Sequence, residues 1–497
     1  KPLKQVGEEL GVEFIVSGTI RWQKAADAPG RVRVTPTLIR AGDATQIWAN
    51  VYDESIAEIF QVQSDISKKL VDALGIALAG PEERSLEARP TENMEAYDHY
   101  LRGLNLYKWG MDTERGNRLA IEMFEKAVSL DPVFLQAYSM LARMHSVSYW
   151  YHYDHSIERV IKAKVAADKA YKINPESPEA HTALAYYYFH CKLDYERALK
   201  HYMLALRIQP NNTDALAGIG YVKRRQGKFE ETVEYLKSAS ELDPRSNFIV
   251  FNLAQTYALL RNYKEAEKQY DRALFFNNEY ERAYLWKARL FIDQGELKKA
   301  RQVLEDAFRI LSRYDLNRVL YHWILVEILE EKYQAALDRL SSEPSEAFYD
   351  QYQFTPKANL AAQIHGLMNN RPMETSSYEA ALRLLEVKIE EDPEDPRYHS
   401  ALGIALAGLG RKSEAVRAAR RATEILPVSK EAWRGAYRAT DLALVYTMVG
   451  EYDEAFDLIE HLLSIPGEMS IPLLNTDPAW APLRSLPRFR KLTHKFQ

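Results

Sequence analysis

The sequence predicts a mainly α chain, an α-solenoid of stacked helix pairs preceded by a small α+β domain with an antiparallel sheet. Three observations predict it. Dipeptides that close a helix return at a fixed interval: Asp131-Pro132, Asn174-Pro175, Gln209-Pro210, Asp243-Pro244, Asp392-Pro393 and Leu426-Pro427, several of them 34 or 35 residues apart. Small and large residues recur in one order at the same interval. Residues 1–80, by contrast, alternate with the period of two that marks strands.

In the front domain, Val12, Phe14, Val16 and Ile20 form one alternating run, Val32, Val34 and Leu38 a second, and residues 46–52 a third. Gly30 and Gly42-Asp43 sit where the chain must reverse, so three strands in a meander are expected. Beyond Asp53, residues Ile56, Ile59, Phe60, Ile66, Leu70 and Leu74 carry a helical stripe that would cover one sheet face, with Asp53 as its cap. Arg31 and Arg33 read as solvated strand residues. Residues 81–95 are charged and lack an apolar stripe, the composition of a linker.

The array spans residues 96–466. In the unit Leu184-Ala185, Tyr188, Ala198, Tyr202, Ala205 and Pro210, small residues lie where two helices cross closely and large ones fill the space beside them. The order returns as Ile219-Gly220, Gly227, Leu236, Ala239 and Pro244, then as Leu253-Ala254, Tyr257, Ala266, Tyr270 and Ala273, and again as Leu402-Gly403, Gly410, Ala415, Ala422 and Pro427. Weaker units begin near Ala96, Leu135, Glu281, Asn317, Lys357 and Tyr437, about ten in all. The second is lengthened by Tyr149-Trp150-Tyr151-His152-Tyr153. Residues 341–378, with Pro344, Pro356 and Pro372, should hold a loop or a lengthened helix that breaks the stack. Residues 467–497, with Pro472, Pro478, Pro482 and Pro487, should lie extended as a cap over the last apolar face.

These units resemble tetratricopeptide repeats, which implies a right-handed superhelix whose concave face holds a protein or peptide. The front domain, through Glu9-Leu10-Gly11-Val12, Ser17-Gly18-Thr19-Ile20-Arg21, Arg31-Val32-Arg33-Val34, Trp48 and residues 53–76, resembles the TolB amino-terminal-like domain. That resemblance implies a first strand before Lys1, and an upstream protein kinase, adenylate cyclase or winged-helix regulator. The opening at Lys1, inside an amphipathic helix with no initiator methionine, carries the same expectation of a removed upstream portion.

Composition bounds the function. The 65 basic and 70 acidic residues give a net charge of −5, so nucleic acid is not the default partner. Cys191 is the only cysteine, which excludes an intrachain disulfide and a cysteine-based zinc site. The most apolar stretch, residues 319–329, is interrupted by His322 and Glu327 and is shorter than the ~20 residues of a membrane helix. A cytoplasmic setting is expected, or a periplasmic one behind an upstream membrane helix. His145, His152 and His155 invite a metal reading, but no HExxH-type pattern accompanies them, so no metal or cofactor is assigned. His190 beside Cys191 would activate a thiol only if the two side chains met. Gly218-Ile219-Gly220 lacks the third glycine and the preceding strand of a dinucleotide fingerprint; close helix packing explains it. Kinase signatures, a phosphate-binding loop and a nucleophile elbow are absent, so the chain is read as non-catalytic.

The partner-binding candidates come from stepping along first helices by one repeat: Tyr186, Tyr221, Gln255 and Arg289; Phe189 and Arg224; His190 and Arg225. Aromatics mixed with arginines suit an extended peptide bearing carboxylates. The competing reading is that the aromatics pack against the next unit while the arginines are solvated or pair with Glu230 and Glu231. A different class, a small-molecule or sugar sensor, would use the aromatics Tyr149, Trp150, Tyr151, Tyr153 and those of residues 186–189.

Overall fold

The computed structural model describes residues 2–23, 31–55, 58–77, 89–110, 113–311 and 317–496. Two compact units result: Lys1–His145 with Ile161–Ala183, and Ser146–Val160 with Leu184–Gln497.

The first unit opens with helix α1 (Leu3–Leu10) and an antiparallel sheet of β1 (Phe14–Gln23), β2 (Arg31–Arg40), β3 (Gln46–Ala49) and β4 (Tyr52–Ser55). Strand β2 is central: it pairs with β1 from Phe14↔Arg40 to Gln23↔Arg31, and on its other edge with β3 and then β4. The third alternating run is thus two strands. Its continuation removes Asp53 from the capping position expected for it: Asp53 lies in β4 and accepts hydrogen bonds from the exposed side chains of Arg31 and Arg33. Helix α2 (Ile59–Ala73) begins at Glu58 without a side-chain cap and packs Phe60 and Val62 over Val32, Leu38 and Tyr52. It leaves the same face of β1 bare, so Val16 and Ile20 are 55% and 58% exposed. Gly30 and most of the expected linker, residues 81–88, lie outside the described residues.

Among the described residues ten helix pairs follow, the first Met94–Gly110 with Glu114–Leu130 and the last Ala432–Val449 with Tyr452–Ser464. The small-residue seams are where helices touch. A Cβ on Gly218 would stand 2.3 Å from the Tyr202 ring, and one on Gly403 3.0 Å from Ala419. Ala198, Tyr202, Ala205, Leu236, Ala239, Ala266, Tyr270 and Ala273 are fully buried. Gly218→Ala should therefore overpack this crossing and cost about 1–3 kcal/mol, read as a lower melting temperature. Asn212, Ser246 and Asn262 accept hydrogen bonds from the third amide of the helix each precedes, which fixes the repeat boundaries.

From the third pair on, each pair turns through a left-handed residue at a constant place. Leu193, Gly227, Arg261 and Gly295 occupy it at successive intervals of 34, followed by Glu331, Asn369, Gly410 and Gly450. Glycine suits that conformation; arginine costs on the order of 1 kcal/mol there.

The irregular stretch holds both a strand hairpin, Ala347–Tyr349 with Phe354–Pro356, and the 21-residue helix Arg371–Glu391. The tail corrects the expectation of an extended cap. It folds into the short helices Ile471–Thr476, Ala481–Arg484 and Pro487–Lys495, because Pro472, Pro482 and Pro487 stand in first turns, where a missing amide hydrogen costs nothing. Leu474, Trp480, Leu483 and Leu492 from this tail pack against Phe456 and Ile459 of the last pair.

Candidate functional site

In the second unit the first helices Thr213–Arg225, Asn247–Leu259 and Glu281–Asp293 form the inner face. The expected open groove is corrected: this face is filled by the chain's own later repeats. Tyr186, Phe189, His190, Tyr221, Arg224, Arg225 and Gln255 are all buried, and only Arg289 keeps partial exposure. The reason is the return of helix Ala432–Val449, whose opening residues meet the end of helix Thr213–Arg225.

Arg225 is 3% exposed and pairs with the fully buried Glu431 at 3.4 Å. Glu431 also accepts from the Arg434 side chain at 2.5 Å and, as the N-cap of its helix, from the amides of Trp433 and Arg434. Burial raises its acidity constant's pKa, yet the Arg225 and Arg434 guanidiniums outweigh that and hold it below the usual carboxylate range. Arg224 has a different solution. Its guanidinium donates to Asn252 Oδ1 at 2.7 Å and the Asn252 carbonyl at 3.1 Å, and lies 4.6 Å over the Trp433 ring. Burial, with Arg225 beside it, pushes its pKa down to about 10. Neither arginine pairs with Glu230 or Glu231; Glu231 instead bonds Lys223 at 2.6 Å.

Arg289 bridges two carboxylates, Asp293 at 2.7 Å and Glu468 at 3.5 Å, and Glu468 also accepts from Tyr437 Oη and from Trp433 Nε1 at 3.4 Å. Burial, opposed by Arg289 and reinforced by Glu468, pushes Asp293 up to about 7. Tyr221 packs against Phe248, Phe189 and His190 pack against Trp150, and Tyr186 stacks on His190.

Around this cluster lies a cavity of about 60 Å³, lined in part by Tyr151, Arg282, Trp286, Arg289, Tyr321 and Tyr437. That is room for a few waters rather than for a sugar. Trp150, Tyr186 and Phe189 are buried as core, whereas the half-buried Tyr151 lines the cavity. His152 and His155 stack at 4.0 Å, with His152 Nδ1 2.8 Å from Arg397 and His155 Nδ1 2.9 Å from the Tyr149 carbonyl oxygen. Among the described residues no three potential metal ligands gather. Burial pushes the Cys191 thiol up to about 12, away from an activated thiolate. No helix among them is long and apolar enough to cross a membrane.

His322, behind Arg289, is forced down to about 4 by burial and by the nearby arginines, against a hydrogen bond to the Arg318 carbonyl. A depressed imidazole contributes stability that is complete above its unfolded value near 6.5 and lost as pH falls toward 4. Asp293, raised, works in the opposite sense over the same window. The difference between proteins isolates the imidazole: His322→Gln should lose less stability than wild type between pH 6.5 and 4, measured by urea denaturation at each pH.

Sequence reasoning missed Glu431, Trp433, Tyr352 and Glu468, the residues that occupy the face. Their only signal was a polar N-cap followed by tryptophan at the start of the last pair.

Comparison with known proteins agrees with the repeat geometry. A tetratricopeptide-repeat family model matches residues 217–281, 251–314 and 373–430. Over those residues the chain carries tetratricopeptide repeats. Among curated proteins, a putative adenylate cyclase 3 of Rhizobium meliloti is 25% identical over 186 residues, 37% of this chain and 30% of that protein. Anaphase-promoting complex subunit 3 of Schizosaccharomyces pombe is 26% identical over 153 residues, 31% of this chain and 22% of that one. The chain thus spans less than a third of the length of these relatives. The solved structure of Pseudomonas aeruginosa PilF is 22% identical, covers 42% of this chain and 91% of its own, with a TM-score of 0.34.

Proposed function

We propose that this chain is the non-catalytic interaction and regulatory portion of a larger bacterial signalling protein, whose tetratricopeptide array holds a protein partner by an extended, acidic segment. The observation that carries this reading is the inner face itself. Arg225 and Arg289, two repeats apart along it, each hold a carboxylate brought from another part of the chain, Glu431 and Glu468. A surface that grips acidic segments of its own chain has the chemistry to grip one from a partner. The similarity to a putative adenylate cyclase, and the resemblance of the front domain to TolB amino-terminal-like modules, favour an attached cyclase or kinase and a cytoplasmic setting; an upstream membrane helix would make it periplasmic.

Random peptide display against the full chain tests the reading. Enrichment of peptides with a central Glu or Asp, and no turnover of ATP by the chain, is expected. Enrichment of basic peptides, or none, would remove the reading. Charge reversal at Arg224 and Arg225 is no test of binding, because both are buried and the variant would unfold.

A further inference from the structure

Between helix Tyr452–Ser464 and helix Ile471–Thr476 the chain runs for six residues, Ile465, Pro466, Gly467, Glu468, Met469 and Ser470, without helix or strand. This segment lies along the inner ends of the fifth and sixth pairs; Ile465 and Met469 pack into the apolar core around the last pair, while Gly467, Glu468 and Ser470 are held by polar contacts. The Gly467 amide donates to the Leu259 carbonyl at 2.9 Å. Ser470 Oγ donates to the Asp293 carbonyl, and Glu468 takes Arg289, Tyr437 and Trp433. Arg261 donates to the carbonyls of Leu462 at 3.2 Å, Ile465 at 2.9 Å and Met469 at 3.0 Å. Main-chain bonds to a non-helical segment plus one anchored side chain are a way in which a bound peptide is recognised.

Arg261 makes the arrangement more than incidental packing. It occupies, with φ of +57°, the left-handed turn where Gly227, Gly295, Gly410 and Gly450 stand in other pairs and Leu193, Glu331 and Asn369 in the rest. Its guanidinium reaches the carbonyls of this segment and of Leu462 just before it. The flanks are fastened differently, by the buried Leu462 and Leu463 before and Leu473 and Leu474 after. The apolar anchors, Met469 among them, can therefore stay in place while Gly467 and Glu468 bow out.

We propose that residues 465–470 are a releasable self-ligand: a strap that occupies the inner face in place of an extended partner segment carrying a glutamate, and that such a segment competes for Arg261 and Arg289. The strap rests on the partner-binding reading above.

The test uses the full chain, a fluorescent peptide copying residues 463–472, and the same peptide with its glutamate replaced by lysine. Glu468→Gln keeps the strap's shape and removes the charge held by Arg289, while leaving Arg261 and Arg289 free for the peptide; it should raise peptide affinity about tenfold or more over wild type, since an occupied site binds in proportion to its open fraction. Arg261→Gly removes a side chain for which strap and peptide compete, so it should free the strap without that gain in affinity. The lysine peptide should not bind. Amides 467–471 should exchange faster in the variants than in wild type. Equal peptide affinity in all three proteins, with unchanged exchange of those amides, would overturn the strap and leave the partner reading intact. No peptide binding to any of the three overturns the strap as well, and the display experiment then decides the partner reading separately.

Discussion

Glu431→Ala should destabilise the second unit by about 3–5 kcal/mol, the range expected when one member of a buried ion pair is removed and its partner stays charged. Glu431 is fully buried, and two guanidiniums converge on it. Alanine would leave Arg225, held against Trp150 and Trp433 at 4.9 Å from each ring, without its anion. The same change removes the N-cap of helix Ala432–Val449, a further loss of about 1 kcal/mol. Urea denaturation followed by tryptophan fluorescence measures this. A loss below about 1 kcal/mol would mean that the pair is solvated.

Trp433→Ala is expected to cost a similar amount, about 3–5 kcal/mol, through the cavity it leaves. Its ring is wedged among Tyr352 at 4.7 Å, Trp286 at 5.6 Å and the guanidiniums of Arg224 and Arg225. Arg224 loses the most. With its Asn252 bonds but no aromatic face, it becomes a buried cation with less to offset its desolvation. Trp433→Phe keeps a ring face and should recover more than half of the loss in the same denaturation experiment; equal losses would show that the ring stacking contributes nothing.

The repeat register was legible because it rests on local rules. The 34-residue interval of X-Pro dipeptides, the alanine seam through Ala198 and Ala205, and the glycine at Gly218 each report on helices that follow one another in the chain. The strand periodicity of the front domain was legible for the same reason, whereas the break of its third run into β3 and β4, which placed Asp53 on Arg31 and Arg33, has no local signal. Stepping by the repeat also found the side chains that line the inner face, from Tyr186 to Arg289. What no period could reveal is what lies against them. Arg225 and Glu431 are 206 residues apart, and Arg261 meets Met469 across 208. Contacts of that separation follow from how the later repeats return, which depends on the hairpin at Phe348 and the lengthened helix Arg371–Glu391, where the sequence loses its period. Proline content misled the tail reading because a proline that ends one helix also starts the next.

Whether the inner face is closed by the chain's own C-terminal repeats is tested most directly by a double-mutant cycle on Arg225→Met and Glu431→Gln. The two residues touch only if helix Ala432–Val449 lies on helix Thr213–Arg225. A coupling energy of about 1.5 kcal/mol or more is predicted, each single variant costing more than the pair replaced together. Strictly additive losses, with coupling within about 0.5 kcal/mol of zero, would contradict the account and leave the face open.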